Sequence, residues 1–138
     1  MESFPKISEY MDTVVPVIGQ ETPVIEAVDF LLEHKVTGAP VVDSEANLVG
    51  IITETDLLKL VTEGIKGEPP VDATVAEYMT RDVISVPPTV DIYYIAGMFL
   101  ANKFRRLPVV EDGKIVGAIT RYDLLRVVRS LFSEADFE

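Results

Sequence analysis

The chain has 138 residues, a length that suits one ordinary buried core and excludes two large domains. Its formal net charge is -11, a field that repels phosphate backbones and anionic lipid and argues against nucleic-acid or membrane-surface binding. It holds no cysteine and one histidine, which removes disulfides, thiolate metal sites and multi-histidine centres. No apolar run approaches the ~20 residues that span a bilayer. Met1-Glu2-Ser3-Phe4-Pro5 carries an acid where a signal peptide carries bases, so a cytoplasmic location is expected.

In chain order, Thr22-Pro23 is the first helix start, a capping residue followed by proline in the first turn. Ile25, Val28, Leu31 and Leu32 then recur at helical spacing and are expected to form its apolar face. Ala39 to Val42 and Leu48 to Ile52 are short β-branched runs on either side of the turn-rich Asp43-Ser44-Glu45-Ala46-Asn47, and read as a hairpin. A helix follows at Asp56, expected to bury Leu57, Leu58 and Val61. The two glycines and two prolines of Gly64 to Asp72 mark a connector. Beyond it come a helix near Asp91 to Lys103 and strands at Leu107 to Val110 and Ile115 to Ile119. A last helix runs through Leu131, with Leu124, Leu125, Val128, Leu131 and Phe132 as its stripe.

The second set of elements repeats the first. Shifted by 68 positions, Glu9-Tyr10-Met11 falls on Glu77-Tyr78-Met79, and Pro40-Val41-Val42-Asp43 on Pro108-Val109-Val110-Glu111. After one residue is lost in a turn, Val49-Gly50-Ile51-Ile52-Thr53 falls on Val116-Gly117-Ala118-Ile119-Thr120, and Asp56-Leu57-Leu58 on Asp123-Leu124-Leu125. The domain reading is therefore a first repeat at 1–63, a linker at 64–73, a second repeat at 74–132 and an acidic tail at 133–138. Each copy is too small to cover its own sheet face and helix stripes. The expected fold is α+β, two tandem β-α-β-β-α repeats packed with pseudo-two-fold symmetry.

A short helix ending in Tyr-Met, the extended Val83-Ile84-Ser85-Val86, a helix, then Leu107-Pro108-Val109-Val110 and Gly117-Ala118-Ile119-Thr120-Arg121-Tyr122-Asp123-Leu124 form a recognisable order. Twice over, it resembles the CBS domain, and the tandem resembles the CBS pair, or Bateman module, over about residues 6 to 132. The resemblance implies two related clefts between the repeats that bind AMP, ADP, ATP or S-adenosylmethionine as regulatory ligands, with no required cofactor. It also implies homodimers and a regulated partner protein of unknown identity.

Thr53-Glu54-Thr55-Asp56 and Thr120-Arg121-Tyr122-Asp123 each join a strand end to a helix start. The aspartate offers acceptor oxygens to a ribose diol, and the threonine hydroxyl and free N–H groups suit an anion. The same residues also serve simply to cap a helix. Lys103-Phe104-Arg105-Arg106 is the one dense cationic run, suited to bidentate phosphate contact or to a helix C-terminus. Its counterpart, Lys35-Val36-Thr37-Gly38-Ala39, has no arginine.

Carried over from the family, the Asp123 cleft holds Thr120, Asp123, Arg105 and Arg106 with Val15, Pro16 and Thr37, and Arg121 adds to it. The Asp56 cleft holds Thr53 and Asp56 with Val83 and Ile84, and only Arg81 or Arg105 to supply a cation. Unequal sites are expected, the Asp123 cleft favouring phosphorylated ligands. Val15, Val36, Val83 and Phe104 are candidate purine walls or plain core. His34, beside Glu33 and Lys35, is expected at the surface, and no nucleophile–base pair suggests catalysis. The alternative function is a protein-interaction or oligomerisation scaffold that needs no ligand, using the apolar helices that begin at Asp56 and Asp123.

Overall fold

The computed structural model describes residues 5–64 and 72–132. These fall into two compact units, one within Pro16–Val83 and one within Met1–Val15 and Ile84–Glu138.

The Pro16–Val83 unit contains β1 (Ile18–Gly19), α1 (Val24–His34), β2 (Gly38–Val42), β3 (Leu48–Thr53), α2 (Glu54–Gly64) and α3 (Val75–Tyr78). The expected hairpin is β2 against β3, with Gly38 opposite Thr53, and β1 joins it parallel to β2 through Ile18 opposite Val41. Its turn is held by Asp43, whose Oδ1 accepts from the N–H groups of Glu45 and Asn47, an aspartate turn of the usual kind. Helix α1 is not capped by Thr22. Pro23 occupies the N-cap without a side-chain bond, and the carbonyl of Ala73 takes the Val24 N–H instead. At the other end Lys35, at φ 53°, turns left-handed and donates to Leu31 and Leu32, satisfying carbonyls the helix leaves open.

The second unit begins with a 3-10 turn at Ile7–Glu9 and continues with α4 (Ile92–Ala101), β4 (Arg106–Glu111), β5 (Lys114–Thr120) and α5 (Arg121–Leu131). Asp91 caps α4 by accepting from the Tyr94 N–H. β4 and β5 pair antiparallel, with Arg106 opposite Thr120, around a tight Asp112-Gly113 turn in which both residues have positive φ. Val86 makes a single parallel bridge to Val109 where the other unit has β1. Among the described residues no helix is long and apolar enough to cross a membrane.

Each unit has its own core: Ile18, Val24, Ala27, Leu31, Val41, Ile52 and Val75 among others in one, and Ile7, Ile92, Ile95, Phe99, Leu107, Ile119 and Val127 in the other. The helices bury only part of the face that hydrophobicity suggests. In α1, Val24, Ala27 and Leu31 are buried with Val28 packed beside them, while Ile25 and Leu32 are exposed. In α2 Leu57 is buried, but Leu58 and Val61 face outward. In α5 Val127 is fully buried and Leu124 packs against the core, whereas Leu125, Val128 and Leu131, and Phe132 just after the helix, are exposed. The cause lies at the helix starts. Asp56 and Asp123 are folded back onto the strand ends and buried, which fixes the rotation of α2 and α5. Residues one and four positions after each aspartate then share its inward side, and the larger apolar residues beside them do not.

The units do not coincide with the sequence repeats. Ala73, Val75 and Met79 belong to the core that contains β2 and β3, and Ile7 to the core that contains β4 and β5. Thr80 pairs with Ile51 and Asp12 with Ala118, so the segment before each repeat's first extended stretch completes the other repeat's sheet. Met79 lies over Gly50 and Met11 over Gly117. A Cβ on Gly50 would stand 2.6 Å from the Met79 sulfur, and one on Gly117 2.5 Å from that of Met11, which is why both strands carry glycine there. Most of the expected linker, residues 65–71, and the acidic tail from 133 lie outside the described residues, but Ala73 is buried core.

Candidate functional site

The strand β5 ends and α5 begins at Thr120, and the chemistry of that junction follows from four residues. The Asp123 Oδ2 accepts from both the backbone N–H and the hydroxyl of Thr120, at 2.9 and 3.0 Å. The Thr120 hydroxyl oxygen in turn accepts from the Asp123 N–H at 3.2 Å, closing a reciprocal capping box. Asp123 Oδ1 accepts from Arg126 Nη2 at 2.8 Å, and the same nitrogen donates to the Tyr10 carbonyl at 2.9 Å. A buried carboxylate with one oxygen spent in the cap and one held by a cation is thus fixed at the head of a helix, where the free N–H groups also favour negative charge.

The other unit builds the same junction at Thr53 and Asp56. Asp56 Oδ2 accepts from the Thr53 N–H and hydroxyl at 2.9 and 3.1 Å. Its Oδ1 accepts from the Thr80 hydroxyl at 3.3 Å, a neutral and longer bond in place of the arginine. Asp56 is as buried as Asp123.

The cations are distributed unequally between the two junctions. Arg106 stands across the hairpin from Thr120, while Gly38 holds that place opposite Thr53. Its Nη2 lies 3.7 Å from Asp12, and its Nε is buried without a hydrogen-bond partner among the described residues. Arg105 is exposed beside it. Arg121 is otherwise employed: its guanidinium donates to the carbonyls of Phe104, Phe99 and Asn102, tying off the end of α4. Arg81 likewise donates to the Ala76 carbonyl.

Among the remaining candidates, Val15 belongs to the unit of Asp123, and Pro16, Thr37 and Val83 to that of Asp56. Ile84, expected with Asp56, belongs to the unit of Asp123 and is exposed. Thr37 accepts the Glu54 N–H at its carbonyl, next to the Thr53 cap. Val36 and Phe104 pack against the two cores, Phe104 edge-on to Phe99, so plain packing accounts for them. His34 is exposed, stacked on Phe30, with Nδ1 2.9 Å from the Phe30 carbonyl. No cluster of metal-ligating side chains occurs among the described residues.

Sequence reading missed Arg126 and Thr80, the residues that meet Oδ1 of each aspartate. Arg126 was detectable in principle, since a residue three positions after Asp123 on a helix lies on its side. Thr80 was not, because it reaches Asp56 from a segment that the repeat assigns to the other copy.

The family model for the CBS domain matches residues 7–63 and 75–130. The chain belongs to the CBS domain family. Its two CBS copies account for the α+β repeats and the duplicated Thr-x-x-Asp junctions. Among curated relatives, MJ1225 of Methanocaldococcus jannaschii is 34% identical over 90% of this chain, and the chloroplastic CBS domain-containing protein CBSX2 of Arabidopsis thaliana is 33% identical over 87%. The chain spans 43% of the length of the first and 61% of the second. The crystal structure of CBSX2 in complex with AMP superimposes with a TM-score of 0.77 at 32% identity, covering 91% of this chain and 97% of that one. The CBS domain pair of MJ0100, solved with 5′-methylthioadenosine and S-adenosyl-L-methionine, gives 0.72 at 25% identity, covering 91% of this chain and 100% of that one.

Proposed function

We propose that this CBS pair is a non-catalytic regulatory module that binds an adenine nucleotide (AMP, ADP or ATP) or S-adenosylmethionine, with the ribose diol on Asp123 and, in the first repeat, on Asp56. The observation that carries the reading is the pair of buried aspartates, each with one oxygen spent in a Thr-x-x-Asp cap and the other able to accept more. Capping occupies one oxygen of each carboxylate and leaves the second, at the head of each helix, as an acceptor. The likeness to CBSX2 in its AMP complex supports the ligand class.

Phosphate is the charge that separates the two sites. Arg106, with a buried donor lacking a partner among the described residues, stands opposite Thr120, whereas glycine stands opposite Thr53. An unpaired buried N–H is unfavourable until an acceptor reaches it, so the Asp123 site is the one expected to prefer phosphorylated ligands, with Arg105 as a second cation. Val15, Pro16, Thr37, Val83 and Ile84 are carried as proposed contacts from the resemblance. Arg121 is the weakest of the proposed contacts, because its donors already hold three carbonyls.

The regulated partner is a protein of unknown identity, and the exposed Leu58 and Val61 of α2, Leu125 and Val128 of α5 and Phe132 just beyond it favour a homodimer. Those same faces are what a ligand-independent scaffold would use. A thermal-shift panel of AMP, ADP, ATP, S-adenosylmethionine, GTP and NAD on ligand-stripped protein separates the readings. Native-state binding at a hundred times the dissociation constant adds about 2.7 kcal/mol. The sensor gives a shift with adenosyl compounds that Asp123→Asn reduces. A flat panel on folded, empty protein favours the scaffold.

A further inference from the structure

The Asp123 carboxylate has room for about four hydrogen bonds, two at each oxygen. Thr120 fills both places on Oδ2, and Arg126 takes one of the two on Oδ1. A ribose diol brings two donors and finds one vacancy. To seat both hydroxyls on Oδ1, Arg126 has to let go.

The same Arg126 nitrogen also holds the Tyr10 carbonyl, on the N-terminal segment that completes this unit's sheet. That segment is anchored by Ile7 in the core, by the two backbone bonds between Asp12 and Ala118, each 2.9 Å, and by Met11 over Gly117. Tyr10 is held a second time by its hydroxyl, 2.9 Å from Ser130 Oγ near the end of α5. One guanidinium nitrogen therefore joins the proposed ribose acceptor to a segment that crosses from the other end of the sequence.

We infer that Arg126 is a positioning residue through which a ribose diol on Asp123 and the docking of residues 10–12 compete. The inference rests on the reading of Asp123 as the ribose acceptor. Ligand draws Asp123 away from Arg126, and the Tyr10 carbonyl loses the partner that Asp123 had kept in place. In the ligand-free protein Arg126 restrains the segment. In the bound protein the segment is freer at Tyr10 to Asp12. The first repeat lacks this charged link: Asp56 Oδ1 takes the neutral Thr80 hydroxyl at 3.3 Å, a weaker bond to give up.

The test compares wild type with Arg126→Met, which keeps an apolar stem on an exposed side chain and removes the donors; circular dichroism checks that the variant is folded. Adenosine and 2′-deoxyadenosine are the affinity probes, since neither carries a phosphate for Arg126 to meet. Amide exchange of the peptide containing Met11 and Asp12 reports the segment, with and without AMP. Removing this half-exposed ion pair, in which the arginine is exposed and the aspartate buried, is expected to tighten adenosine binding about threefold to tenfold, while 2′-deoxyadenosine, which asks for a single acceptor place, binds both proteins alike. AMP speeds exchange at Met11 and Asp12 in wild type. In Arg126→Met that exchange is already fast and AMP leaves it unchanged. Equal or weaker adenosine binding by the variant, or wild-type exchange indifferent to AMP, overturns the coupling and leaves the nucleotide reading standing. No binding of AMP or adenosine by either protein removes that reading, and the coupling with it.

Discussion

Replacing Gly117 by alanine tests how the N-terminal segment is docked. The new methyl would lie 2.5 Å from the Met11 sulfur, 2.9 Å from its Cγ and 2.9 Å from the Asp12 carbonyl oxygen, against an ordinary contact of 3.4–4 Å. Met11 can swing aside. The Asp12 carbonyl cannot, because it accepts from Ala118 N–H at 2.9 Å while the Asp12 N–H donates to the Ala118 carbonyl at 2.9 Å. Relief of the clash stretches or breaks that pair of bonds, at about 1 kcal/mol each. Overpacking of the sulfur adds about 1 kcal/mol, and the conformational advantage of alanine over glycine returns up to about 1 kcal/mol. The expected net loss is about 2 kcal/mol, read as a lower midpoint in urea unfolding at unchanged slope. Met11→Ala opens space for the methyl but leaves the Asp12 carbonyl where it is, so the double variant recovers about half the clash and the two substitutions are not additive. A Gly117→Ala protein as stable as wild type, or strictly additive losses, would refute the close approach. Gly50→Ala should behave in parallel through Met79 and the Thr80 carbonyl.

Further outcomes follow from the helix rotations and from one tyrosine. Val127→Ala is expected to cost about 2 kcal/mol, whereas Leu125→Ala, on an exposed side chain, stays within about 0.5 kcal/mol; chemical unfolding that ranks them the other way contradicts the assigned buried face of α5. Arg121→Ala leaves the carbonyls of Phe99, Asn102 and Phe104 without their guanidinium and is expected to lower stability by about 1 kcal/mol, a loss that thermal unfolding without ligand detects. Tyr78 ionises late, its pKa pushed up to about 12 by its hydrogen bond to Glu63 and by the negative charges of Glu63 and Glu77. Because the folded protein holds that proton beyond the usual 10, the contribution to stability is full below pH 10 and is lost as pH rises through about 12. Absorbance titration against Tyr78→Phe reads this directly, and a Tyr78 that titrates near 10 contradicts the Glu63 bond.

The sequence made the secondary structure legible because its signals are local. The β-branched runs on either side of Asp43 to Asn47 and the helical spacing of the apolar residues each act within a few residues, and the named strands and helices lie within a residue or two of where those signals put them. Repetition then exposed the two Thr-x-x-Asp junctions. Burial was less legible. Hydrophobicity favoured Ile25, Leu58 and Leu125 as core, but the phase of each helix is set at its start, by the inward fold of Asp56 and Asp123 and by the position of Pro23 at the head of α1. The exchange of residues 5–15 and 74–83 between the repeats was hidden as well, since the repeat assigns each segment to the wrong sheet. For the same reason Thr80 and the Tyr10 carbonyl could not be placed beside Asp56 and Arg126 from the repeat alone.

Calorimetric titration of ligand-free protein with AMP, alongside Asp123→Asn and Asp56→Asn, shows whether the two buried aspartates hold the nucleotide. The substitution keeps the size of the side chain and removes the charge that a ribose diol would meet. Saturable AMP binding is expected that weakens at least tenfold in Asp123→Asn, about 1.4 kcal/mol or more, and falls less in Asp56→Asn because that site lacks the facing arginine. AMP binding of equal strength in all three proteins would contradict it, placing the nucleotide somewhere other than on the two buried aspartates.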